Sequence, residues 1–292
     1  MSARLESARV RTIRGRFRAF ATVFERELVT VARTPGYALL GAGLLAVLGG
    51  FLLAGGGAAT GFVPAVVDLL LPTELLVPLV AVALGYRALL VDVRSGEIDV
   101  IRTYPVGTVA YVLGVLFARL AALVAILLVP YLAVGAYVLL AASPDTGIYA
   151  THAGVDSGWL FVRFLALVVP LGSAYLVAAA AVSTLAASRR SALALAGVAL
   201  LLGVLGGDLA VLRTLGDGGA IGGTLALTPN GAFRGLVLEH VVAVAFDAGD
   251  GFVTPGRAVA SLVGWTLLGT LLAVATTAYG RRVATELERI RG

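Results

Sequence analysis

Long apolar runs separated by short polar stretches dominate the pattern of this chain. Six of them stand out: Gly36 to Gly55, Thr73 to Val91, Val109 to Ala142, Trp159 to Ala187, Ser191 to Leu212 and Ala258 to Gly280. A helix crossing about 30 Å of hydrocarbon needs roughly 20 mostly apolar residues, so each run predicts a spanning helix. The third and fourth exceed that minimum, which predicts tilt or projection beyond the bilayer. The predicted fold is all-α and polytopic: an amphipathic segment over residues 1–35, a six-helix transmembrane domain over 36–280 and a short tail over 281–292.

Three stretches outside the runs carry helical periodicity. Before the first run, Ile13, Phe17, Phe20, Phe24, Leu28 and Val31 recur every three or four residues, which places them on one helical face, while Glu25 and Arg26 fall around the other side. Pro35 and Gly36 end that helix. An amphipathic helix of this kind lies along a membrane surface with its arginines toward lipid phosphates. Between the second and third runs, Ser95 can cap a short helix with Glu97 and Asp99 in its first turn. Ile98 and Ile101 give that helix an apolar edge, and Pro105 stops it. A capped helix with an apolar edge needs something to cover the edge. From Pro229 to Phe246 the pattern is again helical, but Glu239 and His240 interrupt its middle and a lipid-facing span tolerates such residues poorly. An interfacial or re-entrant helix on the outer face is expected there. The tail continues the sixth helix, with Val283, Leu287 and Ile290 on one face.

Composition reinforces the membrane reading. Hydrophobic residues make up 59% of the 292 and charged residues 13%, against about 45–50% and 25% in soluble domains. All 22 basic residues are arginine. Without lysine the chain cannot build a P-loop, whose lysine reaches the β- and γ-phosphates, so it is not expected to hydrolyse ATP itself. Without cysteine it has no disulfide, thiolate metal site or cysteine nucleophile. The net charge of +5 does not read as a nucleic-acid surface, because the arginines flank apolar runs and form no solvated patch. Sixteen of them fall before the first run, in the second-to-third and fourth-to-fifth connections (Arg94, Arg102, Arg189, Arg190) and in the tail. By the positive-inside rule both termini are expected in the cytoplasm and the chain in the cell membrane.

Candidate chemistry within the spans is sparse. Arg119 falls about 16 Å into the third span at 1.5 Å per residue, which predicts an inter-helix partner, snorkelling or a place in a transport path. Glu74 and Asp208, near outer ends of spans, are expected to be hydrated. His240 beside Glu239 lacks a third ligand within sequence reach, and no catalytic motif or cofactor is implied.

Taken in order along the chain, these features resemble the permease subunits of the ABC-2 type transporter family. Phe24-Glu25-Arg26-Glu27-Leu28 followed by Arg33-Thr34-Pro35 looks like the family's N-terminal elbow. Asp92, Gly96, Ile98, Pro105 and Val106 match its acidic-Gly-apolar-Pro loop, although Arg94 stands where glutamate is common and Glu97 where threonine is common. Pro229-Asn230-Gly231-Ala232-Phe233-Arg234 is similar to the Pro-x-x-Ala-Phe-Arg segment that precedes the last span. Within the family the pattern looks most like the permease associated with copper-site maturation of nitrous-oxide reductase. The resemblance implies a second permease copy and cytoplasmic P-loop ATPase subunits, with the loop around Gly96 to Pro105 acting as a coupling helix. Two other readings stay open: an ion- or proton-coupled carrier working alone, which needs buried titratable groups, and a membrane scaffold that moves nothing.

Overall fold

A computed structural model describes residues 2–90, 107–142, 156–216, 221–242 and 253–291. They are helical almost throughout: α1 (Ser2–Ala32), α2 (Pro35–Gly55), α3 (Phe62–Gly85), α4 (Thr108–Ala141), α5 (Gly158–Leu185), α6 (Arg189–Gly216), the five-residue α7 (Ile221–Leu225), α8 (Pro229–Val237) with a π turn at Leu238–Val242, and α9 (Pro255–Arg291). Six of these helices, α2 to α6 and α9 as far as Tyr279, are long and apolar enough to span a membrane. The protein is an all-α, multi-pass membrane protein. Six crossings put α1, the last residues of α3 and α5, the first residues of α4 and α6 and the end of α9 on one face, here the terminal face; the other ends of the six spanning helices lie on the opposite face.

The bundle is layered by burial. Helices α3, α4 and α5 are largely enclosed, whereas α2, α6 and α9 expose most of their apolar surface, Leu39, Leu202 and Leu271 among them. In water such exposure would drive aggregation; in lipid it is the ordinary outer surface. At the centre an aromatic chain runs from Tyr131 through Phe164 to Phe233, with ring centroids about 6 Å apart. Phe233 carries α8 into this core, and nearly every residue of α8 is buried. The segment after the fifth span is therefore re-entrant and is helical from Pro229 to Val242; residues 243–252 lie outside the described set.

Five spans begin and end within a few residues of the apolar runs. The second does not. It starts at Phe62, eleven residues before Thr73, and ends at Gly85. Pro64 sits in its first turn, where a missing N–H has no intrahelical acceptor to disappoint. Gly61 supplies the turn at φ +141°, a conformation that side chains disfavour. Asp156 caps the helix from another connection, accepting from the Phe62 and Val63 amides at 2.9 and 3.1 Å. Asp68 accepts from Gly57 N at 2.8 Å. Two acids that read as loop in sequence thus serve as helix-end acceptors.

Helix approach depends on missing side chains. A Cβ on Gly85 would lie 2.5 Å from the Leu176 carbonyl oxygen and 2.9 Å from Ala179 Cβ, so α3 and α5 touch through backbone. Close backbone approach of this sort stands in for the hydrophobic driving force that lipid removes. Gly85→Ala is expected to destabilise the bundle by about 1–3 kcal/mol through overpacking. Gly264→Ala in α9, where a Cβ meets nothing within 4 Å, serves as the control. Thermal unfolding in detergent should lower the midpoint for the first and leave the second near wild type.

Candidate functional site

Charged side chains inside an apolar bundle cost free energy unless paired, so they mark where the fold carries more than packing. Among the described residues two such clusters stand out, one toward each face, and they join spanning helices to α1 and to α8, neither of which spans.

Toward the terminal face, Arg119 of α4 meets Glu27 of α1. Its Nη2 lies 3.1 Å from Glu27 Oε2, and Nη1 donates to the Tyr37 hydroxyl at 2.6 Å. Glu27 is 7% exposed and Arg119 9%. Arg26 approaches the other Glu27 oxygen at 3.7 Å from the exposed side of α1. The Arg119 Nε is buried without a hydrogen-bond partner. Of the outcomes open to Arg119, an inter-helix partner is the one found. Around the pair α1 lies on the first third of α4: Phe20 meets Phe117 edge-on at 5.8 Å, and a Cβ on Gly114 would strike Val23 at 2.9 Å. The apolar stripe of α1 is the packed face only in part. Phe20, Phe24 and Leu28 are half-buried and Val31 is buried, but Phe17 is 69% exposed; Glu25 and Arg26 are exposed.

Toward the opposite face, Arg234 of α8 is clamped between two carboxylates. Its Nε donates to Glu74 Oε1 at 2.8 Å and its Nη2 to Glu74 Oε2; Nη1 donates to Asp208 Oδ1 at 2.7 Å. This corrects the expectation of hydration at Glu74, which is 2% exposed; Asp208 stays half-open. Hydrogen bonding to Glu74, aided by Asp208, raises the Arg234 guanidinium above its ordinary pKa against the lowering effect of burial. The backbone explains why α8 docks here. Pro78 has no N–H to give the carbonyl four residues earlier, which belongs to Glu74. Asn230 Nδ2 fills that vacancy at 3.0 Å, and Tyr175 donates to Asn230 Oδ1 at 2.9 Å. Thr228 caps α8 by accepting from Gly231 N at 3.2 Å, and Trp265 of α9 donates to the Leu227 carbonyl at 3.0 Å. Freed backbone in a bundle must be satisfied by neighbours, and a re-entrant helix does so here.

The loop residues Asp92, Arg94, Gly96, Glu97, Ile98, Ile101, Pro105 and Val106 lie outside the described residues. The His240 carbonyl accepts from Arg163 at 3.3 Å. Among the described residues no three His, Cys, Asp or Glu side chains converge as a metal ion would require. Sequence reasoning missed Glu27, Tyr37, Asn230 and the Glu74–Arg234 pairing. A signal for the first was present: Glu27 sits three residues after Phe24 and four before Val31, on the apolar stripe itself. An acid there calls for a buried base, and Arg119 was the one base deep in a span. The sequence matches no protein-family model and no curated protein.

Proposed function

We propose that this chain is the membrane-spanning permease subunit of an ATP-binding cassette transporter of the ABC-2 type. It couples ATP hydrolysis on a separate cytoplasmic subunit to movement of a substrate across the membrane. The observation that carries the reading is the buried Glu27–Arg119–Tyr37 junction. It fuses the elbow helix α1 to α4, the span into which the 91–106 loop leads. A force delivered to that loop or to α1 then moves one rigid body, which is what a subunit without its own nucleotide site needs. The loop would seat Ile98 and Ile101 in the ATPase, and a second permease copy would complete the transporter. The donor set lends no support to copper as cargo.

The buried Glu74, with Arg234 and Asp208, favours a second reading, since a carrier working alone needs a titratable group within the membrane. Two measurements separate them. Tagged full-length chain purified from its native membranes should bring an ATPase with it. Ile98→Asp and Ile101→Asp should each cut ATPase recovery about tenfold or more, the scale of burying an unpaired carboxylate at an interface. Normal recovery in both variants removes the coupling role of the loop. Substrate uptake by liposomes holding the purified chain alone, without ATP, would transfer the assignment to the carrier.

A further inference from the structure

Between α2 and α4 the bundle leaves an open groove. The stretch nearer the terminal face encloses about 500 Å³ and includes Thr34, Tyr37, Ala42 and Ala125 in its walls. A second stretch of about 410 Å³ shares Leu45 with the first and continues past Gly50 to Tyr137. The walls are almost wholly apolar. Hydroxyls enter at Thr34 and Tyr37, at the terminal-face end, and again at Tyr137 at the far end. Tyr37 already accepts from Arg119, and Thr34 donates to the Thr30 carbonyl at 2.8 Å. Arg33, exposed, is flanked in sequence by two groove residues, Ala32 and Thr34, and adds a cation at that end beyond the buried and mutually paired Glu27 and Arg119.

We propose that this groove binds an anionic phospholipid, its phosphate at Arg33 and an acyl chain laid between α2 and α4. Charge complementarity selects the headgroup: a cation stands at one end of an apolar trench, and a zwitterionic lipid would bring its own cation to the same place. Length fits the tail. Along the first stretch, from Ala121 to Pro130, the α4 wall rises about 14 Å at 1.5 Å per residue, against about 15 Å for one leaflet's half of the hydrocarbon. The rim residues Leu45 and Val129 are exposed, so a chain can enter sideways from the bilayer. Tyr37 belongs both to the groove wall and to the Arg119 junction, so the bound lipid braces the elbow against α4. This site does not depend on the transport reading.

The test uses full-length protein in phosphatidylcholine vesicles doped with phosphatidylglycerol that carries a photoreactive acyl chain. Cross-links are expected on peptides of α2 and α4 above the level on the exposed α9 face around Leu267. Arg33→Gln should lower groove labelling about fivefold, the scale of one arginine at an anionic headgroup. Ala125→Trp, which fills the trench from an exposed position, should abolish groove labelling and leave α9 labelling unchanged. A photoreactive phosphatidylcholine should label the groove no better than α9. Equal labelling of groove and α9 by both lipids would reduce the site to ordinary boundary lipid and overturn the proposal. So would disulfide cross-linking of two chains through Ala125→Cys, which would place a second copy in the groove. Ala42→Leu gives a second filling variant should Ala125→Trp unfold.

Discussion

Glu27→Ala is expected to lower the stability of the bundle by about 3–5 kcal/mol, the range for removing one partner of a buried ion pair. The loss falls on Arg119, whose Nε already lacks a partner and which would keep only the Tyr37 hydroxyl. Arg119→Ala should cost less, because Arg26 remains within 3.7 Å of Glu27 and can draw it toward the surface. The double variant Glu27→Ala with Arg119→Leu should recover most of the loss, since an apolar pair in an apolar site carries no desolvation penalty. That non-additivity separates a paired charge from two independent packing effects. The chain has no cysteine, so Val23→Cys can report the state of the elbow directly. Its side chain packs toward Gly114 in the wild type, and Glu27→Ala should speed its reaction with a polar maleimide. An additive double variant with unchanged labelling would mean that α1 is held by its phenylalanines and that the ion pair is incidental. In the ATP-driven reading, Glu27→Ala should also uncouple ATPase activity from transport, because α1 and α4 would no longer move together, and the stable double variant should restore the coupling.

How much of this was legible beforehand follows from which forces act locally. Five spans could be bounded from sequence because lipid demands a continuous apolar stretch, and that demand is written in consecutive residues. The start of α3 was not legible, because Pro64 and Asp68 look like loop until Gly57 and Asp156 are seen to satisfy the helix end. Re-entry at α8 was half legible. Polar residues argued against a crossing, but the depth of insertion depends on Pro78 freeing the Glu74 carbonyl for Asn230, some 150 residues away. Nothing local encodes that match. The same holds for Glu74, which looked hydrated by position along its span and is buried by a helix that arrives later in the chain. Sequence gave the charges, and the fold gave their partners.

Arg234→Ala should be comparably damaging, about 3–5 kcal/mol, because it strands Glu74 at 2% exposure. Arg234→Lys should recover only part of this: an ammonium cannot reproduce the fork that engages Glu74 and Asp208 together. The two ends of α8 should respond differently. Its first turn keeps the Asn230 contacts with Glu74 and Tyr175, so labelling at Ala232→Cys should change little, whereas Val237→Cys, beyond the lost anchor, should become reactive. Uniform protection along α8 would show that Phe233 alone seats the helix. Glu74→Gln is the decisive companion, since it removes the charge while leaving the backbone carbonyl that Asn230 uses. If the cluster is a structural staple in an ATP-driven permease, Glu74→Gln in the Arg234→Ala background should restore stability and leave ATP-dependent transport standing. If Glu74 instead carries a proton through the cycle of a lone carrier, Glu74→Gln should abolish uptake while the protein stays folded and α8 stays seated. Stability and transport move together in the first case and part in the second, so one substitution distinguishes a staple from a carrier site.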